Sequence, residues 1–325
     1  MPADPAAADH ETPGQGPVAT IAVLTFRRPE SLLTTLRSIG GATLHNEGDA
    51  HLPWRVVDVL IIDNDAIPSA ADAVATAQAE GLARVPIRYV HEPAPGLTAA
   101  RNRALDEAAG DVVVFIDDDE RAGPGWPGGL LTMMADTGAH LVGGPVETAF
   151  VGTPPAWAVD GGFFERERPV HGARMPWLRS GNLAVDRAAV AGAGLRFDPA
   201  FGLSGGEDVA FTRGAAEAGL ELRWCDRAPV TEDVGPERTT VGWVMRRMRV
   251  GTSNWVRANL SVTDGWRARA RFALAGVARV VIGVATTSAG IATRNDVRRV
   301  QGLATTWRGV GGIQGLLGRR SETYG

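Results

Sequence analysis

A run of four acidic residues, Asp117 to Glu120, ends the apolar stretch Val112 to Ile116. Adjacent carboxylates repel one another unless a cation or solvent relieves their charge. Their oxygens suit hard divalent ions such as Mg²⁺ and Mn²⁺, which in turn neutralise a diphosphate. A solvated acidic turn is the alternative. Because the run follows a buried strand of a predicted α/β sheet, we favour a metal site.

Charged residues at two other places could contact a nucleotide. Asp63 and Asp65 follow a second predicted strand, where carboxylates commonly accept hydrogen bonds from ribose hydroxyls or a base edge. Capping of the next helix explains these two residues equally well. Arg28, Arg101 and Arg103 are candidate phosphate partners, because a guanidinium donates a bidentate fork. For Arg101, a solvated position on a helical face is the alternative.

A third candidate is the acidic pair Glu207 and Asp208, which follows the loop Ser204-Gly205-Gly206. A general base acting on an acceptor hydroxyl needs one carboxylate to take the proton and benefits from another that orients it. Capping of the helix that begins here is equally compatible with the spacing. The pair is therefore a candidate base beside an acceptor.

Other chemistries fit the sequence poorly. The chain has no Lys for a phosphate-binding P-loop and a single Cys, so it contains no Cys/His zinc pattern. All six His lie at or before His171, which leaves the C-terminal half without a histidine base or ligand. Nucleic acid is not an expected partner, because the Arg-rich C-terminal part lacks base-stacking motifs of known type.

The elements that must position these residues alternate along the chain. Apolar, β-branched runs predict strands at 18–25, 56–62, 87–90 and 112–116, and helical spacing predicts helices at 31–39, 69–80 and 97–109. This alternation is typical of an α/β fold with a doubly wound, mostly parallel sheet. Since the candidate residues follow strand ends, we expect them at the carboxyl edge of that sheet.

The second half of the chain has fewer regular patterns. We predict strands at 141–150 and 180–185, helices at 127–135, 187–191 and 207–218, and Arg-rich amphipathic helices at the C-terminal end. The apolar stretch 272–292 approaches the length of a membrane span but contains Arg279. We favour an amphipathic helix on an anionic membrane surface. A core or oligomer helix is the alternative, and a true span is the least favoured reading.

Charge is distributed unevenly. Residues 238–325 hold 15 Arg and three acidic residues, whereas residues 1–237 hold 18 Arg and 34 acidic residues. A basic region behind an acidic body indicates an anionic partner. The single Cys225 excludes an internal disulfide framework and fits a reducing cytoplasm. Met1 to Pro17 has no apolar run, so we expect a disordered leader there and no signal peptide.

Five stretches, in the correct order over about residues 18–255, resemble the family 2 glycosyltransferases with a GT-A fold. Within that family they look like the bacterial succinoglycan-type exopolysaccharide glucosyltransferases. The stretches are TFRRPESLLTTLRSI (25–39), LIIDNDAIPSA (60–70), RYVHEPAPGLTAARNRALDEAAGDVVVFIDDDE (88–120), FDPAFGLSGGEDVAFTRGAAEAG (197–219) and VTEDVGPERTTVGWVMRRMRVG (230–251). The resemblance implies inverting transfer from a nucleotide-sugar, a UDP-sugar above all, to a saccharide, lipid-linked or small-molecule acceptor.

The resemblance also implies a cofactor and a set of site residues. The cofactor is Mn²⁺ or Mg²⁺, held with the nucleotide at a DXD motif. The residues implied at the donor are Thr25, Arg28, Asp63, Asp65, Arg101, Asp117 and Asp118. The pair that holds the metal is Asp117 and Asp119. Asp208, beside Glu207, is the implied base, and Gly181 with Asn182 lines the acceptor side.

One position departs from the family pattern. Many GT-A enzymes supply a late His as a further metal ligand, and here Val230 to Asp233 occupies that part of the sequence. Glu232 is therefore our candidate substitute, either as a direct carboxylate ligand or as a residue supporting the ligands.

The expected organisation has four parts: a leader at 1–17, a nucleotide-sugar-binding half at 18–120, an acceptor and catalytic half at 121–235, and an Arg-rich helical region at 236–325. The expected location is cytoplasmic, peripheral on the inner face of the plasma membrane. A nucleotide-sugar nucleotidyltransferase is a second hypothesis, although TFRRPES after the first strand lacks the glycines of that class. A membrane-associated scaffold with a degenerate site is a third.

Overall fold

The computed structural model describes residues 18–42 and 54–318. The predicted leader at 1–17 lies outside the described residues. The seven elements predicted up to residue 117 all occur, each within two residues of its predicted bounds. Their strands are β1 (Val18–Thr25), β2 (Arg55–Asp63), β3 (Ile87–His91) and β4 (Val112–Asp117), and their helices are α1 (Pro29–Gly41), α2 (Ala71–Ala79) and α3 (Leu97–Glu107).

A seven-stranded sheet forms the centre of the fold. The remaining strands of the described chain are β5 (Glu120–Ala122), β6 (Leu141–Gly143), β7 (Val146–Phe150), β8 (Asn182–Asp186), β9 (Leu222–Trp224) and β10 (Val230–Val234). The order in the large sheet is β3-β2-β1-β4-β8-β6-β9, and a small sheet has the order β5-β10-β7. In the large sheet β8 alone runs antiparallel to its neighbours, which confirms the mostly parallel prediction.

The single strand predicted at 141–150 is wrong, because the chain turns at Gly144 and Pro145. Before the turn, β6 pairs with β8 and β9 in the large sheet. After it, β7 pairs in parallel with β10 in the small sheet. One apolar run thus connects the two sheets, and proline and glycine in its middle mark the change.

Helices cover both faces of the large sheet, as a doubly wound fold requires. Along β1, Ile21 and Val23 pack with α1, α2 and α4 (Gly128–Thr137), whereas Ala22 and Leu24 face α3 and α7 (Glu207–Glu217). Because successive side chains of a strand point to opposite faces of the sheet, β1 contributes to two separate hydrophobic cores. The shorter helices are α5 (Ala156–Asp160) and α6 (Arg187–Gly192), with a 3₁₀ turn at Pro199–Phe201.

Three long helices complete the described chain: α8 (Val241–Val262), α9 (Trp266–Ala292) and α10 (Asp296–Leu316). Helix α9 packs along α10 through Gly276, Gly283 and Gly290, where an added Cβ would come within 2.9 Å of atoms of α10. The opposite side of α9 is uncovered, and only 11% of its most apolar window is buried. The core-helix alternative for this stretch is therefore wrong.

Candidate active site

A cavity of about 170 Å³ opens at the carboxyl end of β4, where the large and small sheets meet. Its walls carry six carboxyl side chains and four guanidinium groups. The lining residues are Arg101, Asp117, Asp119, Glu120, Arg166, Arg179, Ser180, Gly181, Glu207, Asp208, Glu232 and Arg247. Side chains from distant parts of the sequence thus converge at the edge predicted from the strand ends.

Asp117 ends β4 at the floor of this cavity. Its backbone N–H donates to the buried Glu120 carboxylate at 3.2 Å, which places two acids side by side. The Asp117 side chain is half-buried, and this burial, with Asp119 and Asp118 nearby, raises its pKa to about 7 against the opposing effect of Arg101. Gly181 faces both acids: a Cβ there would lie 2.7 Å from Glu120 Oε1 and 3.2 Å from Asp117 Oδ2.

Asp118 points away from this floor, toward β1 and α1. Its carboxylate accepts a hydrogen bond from the Thr25 hydroxyl at 2.8 Å and one from Arg28 at 3.2 Å. Burial raises the pKa of Asp118, and both Arg28 and Thr25 oppose that shift. The structure thus brings Thr25, Arg28 and Asp118 together as one cluster.

Asp119 and Glu232 are joined by a guanidinium. Arg238 donates to Asp119 Oδ2 at 3.1 Å and to Glu232 Oε1 at 2.9 Å, and Arg166 pairs with the other oxygen of Glu232. Glu232 therefore reaches Asp119 through Arg238, and both of its oxygens are engaged. These contacts favour the supporting alternative for Glu232, and its role at a metal stays a prediction.

Glu207 and Asp208 open α7 but face different surroundings. Gly205 and Gly206 precede them with φ values of +80° and +92°, a left-handed path that glycine adopts readily. Glu207 is buried against Arg101, with which it forms an ion pair, and its second oxygen is buried without a hydrogen-bond partner among residues 18–42 and 54–318. Burial raises the pKa of Glu207, and Arg101 opposes the shift.

Asp208 is half-buried and lines the cavity. One of its oxygens accepts a hydrogen bond from the backbone N–H of Val209 at 2.7 Å. Within residues 18–42 and 54–318, no guanidinium pairs with it, in contrast to Glu207 and Asp119. A carboxylate that is oriented by the backbone and has no pairing cation is suited to accept a proton.

Asp63 and Asp65 lie apart from the cavity. Asp63 is wholly buried, and its carboxylate accepts from the Ala70 N–H and the Tyr89 hydroxyl, both at 2.8 Å. Asp65 forms a two-point ion pair with Arg27. These contacts hold the loop before α2, although neither side chain caps that helix. A contact of Asp63 or Asp65 with the nucleotide stays a prediction.

Asn182 does not line the acceptor side, which corrects the prediction. It is 1% exposed, and its amide donates to Pro145 and Ala228 carbonyls while its oxygen accepts from Trp126. Both amide hydrogens and the amide oxygen are thus engaged inside the fold. Gly181 does line the cavity, together with Ser180.

Sequence reasoning missed Glu120 as a site residue and the guanidinium groups of Arg166, Arg179, Arg238 and Arg247. Glu120 belongs to the acidic run, but it lies outside the DXD spacing of Asp117 and Asp119. The sequence pattern therefore did not single it out as a site residue. The Arg residues gave none because every basic residue of this chain is Arg, so Arg identity does not distinguish a site.

The ligand atoms that the cavity offers partly fit a divalent cation. Carboxyl groups outnumber guanidinium groups in its lining by six to four, and carboxylate oxygens are the ligands that a hard dication takes. Asp117 and Asp119 supply carboxylate oxygens at one wall. Among the residues the structure describes, however, no three His, Cys, Asp or Glu side chains converge on a metal position. The predicted set Asp117, Asp119 and Glu232 is therefore not assembled as a three-ligand site.

This chain is similar to a family model and to a relative from Rhizobium meliloti. The family model described as Glycosyl transferase family 2 matches residues 20–189. Over 318 residues the chain is 35% identical to the succinoglycan biosynthesis protein ExoM of Rhizobium meliloti (strain 1021), an alignment that covers 94% of this chain and 95% of that protein.

A solved structure with similarity to the chain is the crystal structure of GalNAc-T7 with UDP, GalNAc and Mn²⁺. The TM-score is 0.46 and the sequence identity is 15%. The match covers 74% of this chain and 47% of that chain, so this protein spans about half the length of that structure.

Proposed function

Because this chain belongs to glycosyl transferase family 2 and is a glycosyltransferase with a GT-A fold, we propose that it transfers a sugar from a UDP-sugar to a saccharide hydroxyl, with inversion at the anomeric carbon. The carrying observation is that Asp117, Asp119 and Asp208 line one cavity although the sequence places them far apart. Two of these acids suit the donor side of a transfer, and the third suits the acceptor side.

The donor nucleotide is proposed to lie against the Thr25, Arg28 and Asp118 cluster. In this cluster Thr25 ends β1 and Arg28 immediately precedes α1. The cluster lies beside the cavity that holds Asp117 and Asp119. We further propose that residues 18–120 serve the donor and residues 121–235 the acceptor. The large sheet takes β3-β2-β1-β4 from the first part and β8-β6-β9 from the second, so this is a division of roles within one sheet.

Asp117 and Asp119 are the residues proposed to hold a divalent metal, Mn²⁺ or Mg²⁺. When bound, such an ion supplies positive charge to the donor diphosphate. Asp208 takes the proton of the acceptor hydroxyl, whose oxygen attacks the anomeric carbon as the bond to the diphosphate breaks. Arg101 holds Glu207 next to Asp208 and so fixes the start of α7. One displacement on the face opposite the leaving group inverts the configuration.

Polysaccharide biosynthesis is the proposed setting, since the 35% identical relative is a succinoglycan biosynthesis protein. A growing saccharide, free or linked to a lipid, is the acceptor that this setting implies.

The function is tested by release of nucleoside diphosphate from a panel of UDP- and GDP-sugars, with a saccharide acceptor, in Mn²⁺ and in EDTA. We expect turnover with at least one UDP-sugar and a lower rate in EDTA. Formation of a nucleotide-sugar from a sugar phosphate and a nucleoside triphosphate would instead favour the nucleotidyltransferase. Absence of both turnover and nucleotide binding would favour the scaffold.

We also propose that α9 places the enzyme on the cytoplasmic face of an anionic membrane. Among the described helices, α9 is the one long and apolar enough to cross a membrane. Its uncovered side carries large apolar residues that are 53–75% exposed: Trp266, Leu274, Val277, Val281, Ile282, Val284 and Ile291. Arg267, Arg269 and Arg271 lie in the first two turns of α9, Arg279 lies midway along it, Arg294 follows it, and α9 itself contains no acid. Apolar exposure flanked by cations suits a surface with anionic headgroups.

The variant Leu274→Glu/Val281→Glu tests this proposal. Both side chains are exposed, so the fold should persist while vesicle binding falls by about tenfold or more, because two charges enter the apolar side. Flotation with phosphatidylcholine vesicles, with and without phosphatidylglycerol, measures the change. Val170→Glu is the control, since Val170 is 81% exposed outside these helices. A wild-type protein that forms dimers and ignores both vesicles would show that α9 is an oligomer interface.

A further inference from the structure

Helix α7 follows a turn of two glycines, Gly205 and Gly206. Both adopt a left-handed path, and neither has a side chain that could cap the helix. Glycine also loses more conformational freedom on folding than any other residue. Asp208 is the second residue of α7, so the direction in which its carboxylate enters the cavity depends on what packs against this turn.

Helix α8 packs against the turn through Asn254. A Cβ added to Gly206 would lie 3.1 Å from the backbone oxygen of Asn254 and 3.2 Å from its Cβ, so the two chains are in close contact. The Asn254 side chain donates a hydrogen bond to the Ser204 carbonyl, on the other side of Gly205. Both Asn254 and Ser204 are buried. One residue of α8 thus contacts both ends of the glycine turn.

Other contacts hold the chain that leads into the turn. Arg257, also in α8, donates to the Ser204 hydroxyl at 3.0 Å. The N–H of Leu97, at the start of α3, donates to the Gly202 carbonyl at 3.1 Å. Because the chain is anchored as far as Ser204, a change at Asn254 would act first on the turn and on the residues that follow it.

Asn254 is a costly residue if its role is packing alone. Its side-chain oxygen is buried and has no hydrogen-bond partner among the residues that the structure describes. A buried polar atom without a partner destabilises a fold, and an apolar side chain of similar shape would avoid this penalty. The hydrogen bond that Asn254 donates to Ser204 therefore explains an amide at this position better than packing does.

We propose that Asn254 is a positioning residue for Asp208, because it fixes the glycine turn that directs this carboxylate toward the acceptor hydroxyl. The inference rests on the proposed function, in which Asp208 takes the acceptor proton. Asn254 is not among the residues that line the cavity, so it acts through the turn and not on the substrate. Proton transfer needs the two oxygens about 2.6–3.2 Å apart, and a displacement of about 1 Å can lower a rate by about a hundredfold.

The rate of transfer by Asn254→Ala, alone and combined with Asp208→Asn, tests the proposal. We expect Asn254→Ala to lower kcat by about tenfold to a hundredfold while UDP affinity changes by about twofold or less. In the Asp208→Asn background the same change should lower kcat by about twofold or less, because no base is left to misplace. A purely structural effect would lower the rate equally in both backgrounds.

Asn259→Ala is the matched control. Asn259 is also a buried asparagine of α8 that contacts α7, but its oxygen accepts from Arg213, more than one helical turn beyond Asp208. Both variants should lose thermal stability to a similar extent, whereas Asn254→Ala alone should lower kcat. Where Asn254→Ala fails to fold, Asn254→Leu carries the comparison, because leucine keeps the branched shape and removes the unpaired amide oxygen.

The outcomes separate this inference from the proposed function. A wild type that transfers no sugar from any nucleotide-sugar contradicts the function, and the inference with it. Active wild type with an Asn254→Ala kcat within about twofold of that of Asn259→Ala overturns the inference alone. Equal losses in the wild-type and Asp208→Asn backgrounds, or a loss of UDP affinity as large as the loss of kcat, also overturn it.

Discussion

The Asp208→Asn variant is expected to lose sugar transfer by about a hundredfold to ten-thousandfold, the usual contribution of a positioned general base. The amide is nearly the same shape as the carboxylate, and its oxygen can still accept from the Val209 N–H as Asp208 does at 2.7 Å. Asparagine cannot take the acceptor proton. The local structure of α7 should therefore persist while the proton transfer is lost.

Two measurements define this result. The rate of transfer at saturating donor gives the loss, and calorimetry with UDP should show affinity within about twofold of the wild type, because we propose Asp208 for the acceptor side. Glu217→Gln is the control, since Glu217 lies at the exposed end of the same helix. Equal loss of transfer and of UDP affinity in Asp208→Asn would contradict its role as base.

The Arg101→Met variant is expected to be destabilised by about 3–5 kcal/mol near neutral pH, because it leaves the buried Glu207 carboxylate without its cation. Both side chains of this pair are at most 5% exposed, so solvent cannot replace the lost partner. Urea denaturation measures the change. Arg103→Met on the same helix is the control, since the Arg103–Glu107 pair is partly exposed and worth about 1 kcal/mol or less.

The loss of unfolding free energy in Arg101→Met, called its deficit below, should depend on pH. Burial already raises the pKa of Glu207, and loss of the guanidinium raises it further, so the folded variant binds a proton that the unfolded chain releases more readily. Stability from such a group is present below the unfolded pKa and is lost as pH rises through the folded one. The deficit should therefore be smaller at about pH 5 than at about pH 8. An equal deficit at both values would show that lost packing, not charge, causes the effect.

The location of the site could be predicted from sequence because parallel strands bring their carboxyl ends to one edge. That argument needs only the position of Asp117 and Asp119 after an apolar run. Strand patterns were sufficient for these two residues. Asp208 was a candidate because an acidic pair follows a glycine loop at the start of a predicted helix, and its role as base came from the family resemblance.

The contacts of individual side chains could not be predicted in this way. The pairing of Glu232 with Arg166 and Arg238 depends on how β10 meets the chain before it, and no local pattern encodes that. Asn182 was predicted to line the acceptor side, but the turn after β6 buries it. The sequence pattern predicted one continuous strand at 141–150 and therefore no turn there. Arg247 lies within the stretch 230–251 that carries the family resemblance, but no role was predicted for it because every basic residue of this chain is Arg.

The turn between β4 and β5 connects the large sheet to the small sheet. Asp117 ends a strand of the large sheet, and Glu120, three residues later, begins a strand of the small sheet, where it pairs with Glu232 on β10. The cavity therefore lies where the two sheets meet, with acids of both sheets in its walls. A ligand that contacted both walls would link the two sheets to each other.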